Sequence, residues 1–417
     1  MVLIKKAVLL VFLTISIFIT ILPISTAITF AFNKTNDLSF GFILAVGDTI
    51  GNLAYDNITD GVYFATDGGG SLGYYNRNTN TSTSLDDTDV GDWIGLSNGV
   101  FEEVAFDSKN NGAYVVGDSI FGYYDHTANI THDLRQTDEN DFLTVAGNLI
   151  LGVAYDSIND GAYIVGDNNL FGYYNKTANI TINLNYTLVN SANRGTVVYD
   201  TKNDGVYIAG DDGKFQYYNK AANTSHDLRE TDTNDWIGSN VIINLAYDSN
   251  NDGVYLVGEN GIFGYYNRTK NVTEDLRETA NFGTNSLLGV TYGKINDRAY
   301  IGGIGGGSLI FSVYDRKRNI TISLMDTDVG DWITNHIGFN AVAAIEYDTK
   351  NNGVYISGFT GLGYFSLNGI STLSGTNQLV TSGNVTLLFT NVTSDGVTSI
   401  TTSTSPPEPG AGLFLLN

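Results

Sequence analysis

The residues with the strongest claim to chemistry form a short motif, Thr-Asp-x-x-Asp-aromatic, which occurs at Thr88 to Trp93, Thr137 to Phe142, Thr231 to Trp236 and Thr327 to Trp332. All three tryptophans of the chain lie in it. Two uses of the motif compete. In the functional one, Asp89, Asp232 and Asp328, with Asp92, Asp235 and Asp331, are oxygen ligands for a hard cation such as Ca²⁺, and exposed Trp93, Trp236 and Trp332 are platforms for sugar rings. A calcium site needs several oxygens converging at roughly 2.3–2.6 Å, which spacing alone does not establish. In the plainer use, the aspartates accept backbone N–H bonds within a turn and the aromatic residue wedges between neighbouring elements.

Other chemistries are thinly supplied. The 417 residues include no Cys and four His, which removes thiolate metal sites, thiol nucleophiles and disulfides and leaves little imidazole chemistry. His132 and His226 read as solvated residues of an outer strand. Asp-Ser-x-Asn-Asp-Gly resembles part of an EF-hand loop but lacks the terminal Glu, so a hairpin turn is the better reading. Gly302 to Gly307 is glycine-rich without a following helix or Lys to hold phosphate. With 21 Lys+Arg against 44 Asp+Glu and net charge -23, nucleic acid is excluded as a partner.

The elements that must position these residues are short β-strands. Twenty-six Tyr, 21 Phe and 48 Gly against 4 Pro describe many strands joined by Gly and Asn turns. All prolines lie outside residues 28–405, so no ladder donor is lost in that stretch. A Gly-x-Tyr marker recurs at Gly61, Gly112, Gly161, Gly205, Gly253 and Gly353, with Arg298 in place of one glycine. The spacing, 44 to 55 residues, is that of a four-stranded propeller blade. In each repeat strand A ends in Tyr-Asp, strand B is Gly-x-Tyr-x-x-Gly, strand C ends in Tyr-Tyr-Asn, and strand D follows a Lys-x-x-Asn turn. The expected fold is all-β: a seven-bladed β-propeller of antiparallel blades over residues 28–375. Residues near Asn36 to Phe40 are expected to complete the last blade from the other terminus.

The stretch Asp235 to Tyr266, with its Asp-Trp-Ile-Gly start, Tyr-Asp-Ser-Asn-Asn-Asp-Gly turn and Phe-Gly-Tyr-Tyr end, resembles the propeller repeat of two-component regulator sensors. It is similar also to the propeller repeats of archaeal surface antigens. The resemblance covers residues 37 to about 375 and speaks for the fold rather than a ligand.

The two ends read differently. Lys5-Lys6, the apolar run Ala7 to Leu22 and Ser25-Thr26-Ala27 have the form of a secretory leader, which gives a mature chain from Ile28 with charge -25 and no membrane span. Residues 376–417, with Asn384 to Val392 and Val397 to Thr402 as a hairpin, look like the start of a second β domain, an incomplete β-sandwich, in a truncated product.

Thirteen Asn-x-Ser/Thr sequons accompany the leader: Asn33, Asn57, Asn80, Asn129, Asn175, Asn179, Asn185, Asn223, Asn267, Asn271, Asn319, Asn384 and Asn391. Alternation of strand direction places the A–B and C–D turns on one face of the disc. Asn57, Asn80, Asn129, Asn175, Asn179, Asn223, Asn267, Asn271 and Asn319 gather there, with Lys and Arg, as candidate glycosylation sites. The opposite face is acidic.

The function expected from this pattern is non-catalytic binding, adhesion or envelope structure in a secreted or cell-surface protein, directed at an extracellular glycan or surface protein. Two alternatives stay open: a lyase or glycosidase using carboxylates at the channel mouth, and the sensory ectodomain of a longer protein.

Overall fold

The computed structural model describes residues 31–33, 49–66, 71–89, 100–138, 142–143, 149–189, 194–232, 234–280, 282–306, 308–325, 341–358, 361–372, 375–382, 385–392 and 396–398. The leader-like segment, residues 36–40, Asp92, Trp93, Asp328, Asp331, Trp332 and the last residues of the tail lie outside them. The chain divides into two compact units, Phe32–Asn368 and Met1–Ala31 with Gly369–Asn417.

The first unit is a seven-bladed β-propeller. Six blades are four consecutive antiparallel strands, as in Ile242–Asp248, Gly253–Gly258, Phe263–Asn267 and Val272–Asp275. The seventh has Ala344–Asp348, Gly353–Ser357 and Leu362–Thr372, and the strand Ala31–Asn33 takes the fourth place. The closing strand therefore comes from the amino-terminal side, as expected, from residues just before the segment foreseen.

Strand B is buried at every position in the blades at Gly61, Gly112, Gly161, Gly205 and Gly253, because both faces of its sheet are covered by neighbouring blades. Its marker glycine has a steric cause. A side chain at Gly253 would meet the ring of Tyr265 and the carbonyl of Tyr266, and Gly61, Gly112, Gly161 and Gly205 meet the same obstacle in their blades. The sixth blade shows the rule by exception. Val313 stands opposite Tyr300 where Tyr265 stands opposite Tyr255, and with the tyrosine gone Arg298 is accommodated and reaches Asp315 at 3.3 Å.

The blades are fastened to one another at two levels. In the A–B turns, Asn side chains reach the next blade: Asn110 to Asp160, Asn159 to Asp204, Asn203 to Asp252 and Asn251 to Asp297, at 2.7 to 3.0 Å. Asn351 closes the circle on Asp60 at 2.8 Å. At the outer strands, Thr88, Thr137, Thr231 and Thr279 pair with Thr131, Thr181, Thr273 and Thr321 of the following blade.

In the second unit, Val385–Val392 pairs with the preceding Gly375–Ser382 rather than with the segment after it, and Gly396–Thr398 pairs with Ile370–Thr372.

Candidate functional site

The described copy of the Thr-Asp-x-x-Asp-Trp motif packs between blades four and five. Trp236 is 8% exposed and packs with Phe215, Leu228 and Ile262, its ring occupying the space a side chain at Gly264 would need. The Arg277 guanidinium lies 5.2 Å above that ring. Asp232 accepts the N–H of Ile237 at 3.0 Å, and Asp138 does the same for Leu143 at 2.7 Å. Asp235, its side chain 76% exposed, pairs with Arg229 at 2.7 Å. Asp89 forms a bridge to Thr131 of the next blade. Thr231 accounts for the first letter of the motif, because its hydroxyl binds the carbonyl of Leu228 and the hydroxyl of Thr273. Among the described residues no group of three or more His, Asp or Glu is placed to hold a metal ion. His132 and His226 are exposed on strand D.

The C–D turns give the sequons a second meaning. Asn80, Asn129, Asn179, Asn223, Asn271 and Asn319 all have φ between 52° and 55°, a left-handed conformation that Asn tolerates well. In each the side-chain Oδ1 accepts the hydroxyl of a strand-C tyrosine: Tyr75, Tyr124, Tyr174, Tyr218, Tyr266 and Tyr314 respectively. The threonine two residues on, in Thr131, Thr181 and Thr273, is the fully buried member of the inter-blade pair. Asn-x-Thr thus has a structural use in these turns, its Asn oxygen and its Thr hydroxyl both being hydrogen-bonded. Asn57 sits exposed in an A–B turn, Asn175 and Asn267 end strand C, and Asn185 caps the N–H of Phe171 at 2.7 Å.

The cations of the C–D turns face inward. Asp107, Asp156, Asp200, Asp248 and Asp348 at the ends of strand A are fully buried, and each takes a cation from the next blade: Lys176, Lys220, Arg268, Arg316 and Arg77. Burial raises the Asp107 and Asp156 carboxyls, but the ammonium of Lys176 or Lys220 and the turn amides outweigh it and hold both below the ordinary carboxylate range. Each cation also lies over a strand-C tyrosine ring, as Lys176 does over Tyr123 at 3.5 Å. At the interface of blades six and seven both partners are absent together. Gly293 replaces the aspartate, and Leu367, whose N–H binds Asn352 as the N–H of Arg77 binds Asp60, replaces the cation.

Closure of seven blades leaves an axial channel walled by the A strands: Ile50–Asp56, Phe101–Asp107, Ile150–Asp156, Arg194–Asp200, Ile242–Asp248, Ser286–Gly293 and Ala344–Asp348. It holds two adjoining cavities of about 450 and about 350 Å³ that share Asn52, Glu103 and Asn244 at a waist. The larger reaches the A–B turns at Asn57 and Ser108, and the smaller reaches Thr49 and Ala341 at the other end. Glu103 and Glu346 are half-buried there. Glu103 accepts the N–H of Val153 on the next blade at 2.7 Å, and Asn244 accepts that of Val290 at 3.5 Å. Glu346 takes hydrogen bonds from the backbone of Tyr55 and Tyr347 and from Thr291. Burial pushes Glu103 up to about 8, with the Glu102 and Glu346 charges adding to the rise, and pushes Glu346 up to about 7.

Neither glutamate was singled out by sequence reasoning, which read strand A as apolar at nearly every position. The signal was there in alignment. Asn52, Gly152, Thr196, Asn244, Gly289 and Ala344 share the strand position of Glu103, and Ala54, Ala105, Ala154, Val198, Ala246 and Thr291 share that of Glu346. A carboxylate among small residues at a wall position is the departure to look for. No family model matches the chain, and no curated protein is similar to it.

Proposed function

We propose that this chain is a secreted or cell-surface, glycosylated β-propeller that acts by non-catalytic binding of an extracellular glycan or surface protein, with the axial channel as its site. The observation that carries this reading is the channel wall itself. Gly51, Asn52, Gly195, Thr196, Asn244 and Gly289 offer hydrogen-bonding or small groups around a space of ligand size. The leader-like segment and the sequons support the location. The repeat, on its Asp-Trp start and Tyr-Tyr-Asn end, is proposed to be of the two-component-regulator or archaeal surface-antigen kind.

A glycosidase or lyase reading is favoured by one observation, the two carboxylates Glu103 and Glu346 in that wall with their raised proton affinity. A glycan array probed with the full chain, with and without Ca²⁺, separates the readings. A side chain at Gly195 would project into open space, so Gly195→Phe narrows the channel without touching the packed blades. Binding predicts glycans retained unchanged by the wild type and lost by Gly195→Phe. Retention by both proteins would remove the channel as the site, and shortened glycans would favour the enzyme. A Ca²⁺ requirement would support ligation by Asp89, Asp232 and Asp328.

A further inference from the structure

We propose that the group recognised in the axial channel is a primary aliphatic ammonium, held between Glu103 and Glu346 at the centre of the propeller. The inference rests on the binding reading above and specifies its ligand.

The first ground is the charge of the cavity. Its described lining holds Glu103 and Glu346, with Glu102 in the adjoining chamber, and contains no Lys, Arg or His. A carboxylate drawn out of bulk water needs a compensating charge or a proton. Elsewhere this fold supplies the charge: Asp107, Asp156, Asp200, Asp248 and Asp348 each receive a Lys or Arg from the neighbouring blade. Glu103 and Glu346 in the channel wall have hydrogen bonds alone, as Asp56 does in the A–B turn of the first blade, but they alone of these face a cavity.

The second ground is that the fold does not require acids there. Accepting a backbone N–H at the inner edge of the next blade is the structural duty of Glu103 toward Val153, and at the fifth blade Asn244 performs it for Val290 with a neutral amide. A carboxylate at the same wall adds charge beyond that duty.

The third ground is shape. A metal ion needs many converging oxygens, and no such group is present among the described residues. An ammonium needs three acceptors and a wall for its carbon chain. Glu103, Glu346, Asn52 and Asn244 supply acceptor groups to the larger cavity, while Tyr55 and Phe106 in its lining supply apolar and aromatic surface.

Isothermal titration of the full chain with matched probes tests this at pH 7, where the glucosamine amine is still mostly protonated. Glucosamine and N-acetylglucosamine differ in the charge on one nitrogen, and 1,5-diaminopentane and 1,5-pentanediol extend the comparison to a chain without a sugar. The ammonium member of each pair is expected to bind at least about tenfold more tightly, and Glu103→Gln and Glu346→Gln, with melting transitions retained, are each expected to weaken it about fivefold or more. Binding by glucosamine alone would assign the ammonium to an amino sugar; binding by both cations would assign it to the bare group. Equal affinity within both pairs, unchanged affinity in the glutamine variants, or preference for CaCl₂ over either amine overturns the proposal while leaving the channel as a binding site. Silence from all probes overturns the ammonium, and the glycan array then decides the channel separately.

Discussion

Glu103 holds the N–H of Val153 with one carboxylate oxygen while burial pushes its own proton affinity up to about 8. In the unfolded chain a glutamate titrates near 4.3. Between those values the folded protein binds more protons than the unfolded one, so the stability attached to this group is complete below about pH 4 and is lost as pH rises through 8. Glu346, raised to about 7, adds a slope of the same sign over a shorter range, and its charge is felt at Glu103, so the two titrate as a pair. In a Glu346→Gln background, Glu103→Gln is therefore expected to gain stability relative to its parent as pH rises from 5 to 9, by on the order of a few kcal/mol in total. Urea unfolding at constant ionic strength measures it; a difference that does not change with pH would mean that Glu103 is ionised as easily in the channel as in water. This residue was invisible to pattern reading because strand A looks apolar at nearly every position when its inner edge and packed face are not told apart.

The C–D turn was legible in the sequence as a turn that carries an Asn-x-Ser/Thr sequon and a Lys or Arg, but the structural duties of those residues were not: the Asn oxygen accepts a strand-C tyrosine hydroxyl, and Lys176 and Arg268 reach a buried aspartate of the preceding blade. The position of each was foreseeable from the repeat, but the inward direction of Lys176 or Arg268 depends on the neighbouring blade, which no single repeat contains. For Asn179 the local demands are a left-handed φ of 54° and an acceptor for Tyr174 at 2.9 Å. Aspartate meets both and cannot be glycosylated, whereas glutamine is poorly suited to the φ and misplaces the oxygen. In unglycosylated protein, Asn179→Asp is expected to melt within a few degrees of wild type, and Asn179→Gln to lose about 1–2 kcal/mol. Equal stability of the two variants would show that the turn does not depend on the residue, and would leave the sequon as the reason for Asn. Mass spectrometry for glycans at these turns should accordingly use aspartate as the negative control.

At the scale of the whole molecule, the seven-blade ring was legible because the Gly-x-Tyr marker has a steric cause that repeats with every blade, down to the exchange of Gly for Arg298 where Val313 replaces the tyrosine. Closure is the property no repeat can encode alone. It joins residues nearly the full length of the ring apart: Arg77 with Asp348 at 2.9 Å, Asn351 with Asp60 at 2.8 Å, and the Ser357 hydroxyl with the carbonyl of Ile50 at 3.0 Å. The Arg77–Asp348 pair repeats, at the seam, the Lys220–Asp156 pair between blades three and four. Both aspartates are fully buried, so removing either cation leaves an uncompensated charge at a comparable equilibrium cost, roughly 3–5 kcal/mol. The kinetic consequences differ, because the seam spans 271 residues and the inner pair 64. Contacts of long sequence separation carry the larger loop-closure cost and form last. Arg77→Leu should therefore act mainly by speeding unfolding, and Lys220→Leu should also slow folding. Denaturant-jump fluorescence on the two variants resolves this, and slowed folding with unchanged unfolding in Arg77→Leu would place the seam in the folding nucleus, reversing the order in which the ring is assembled.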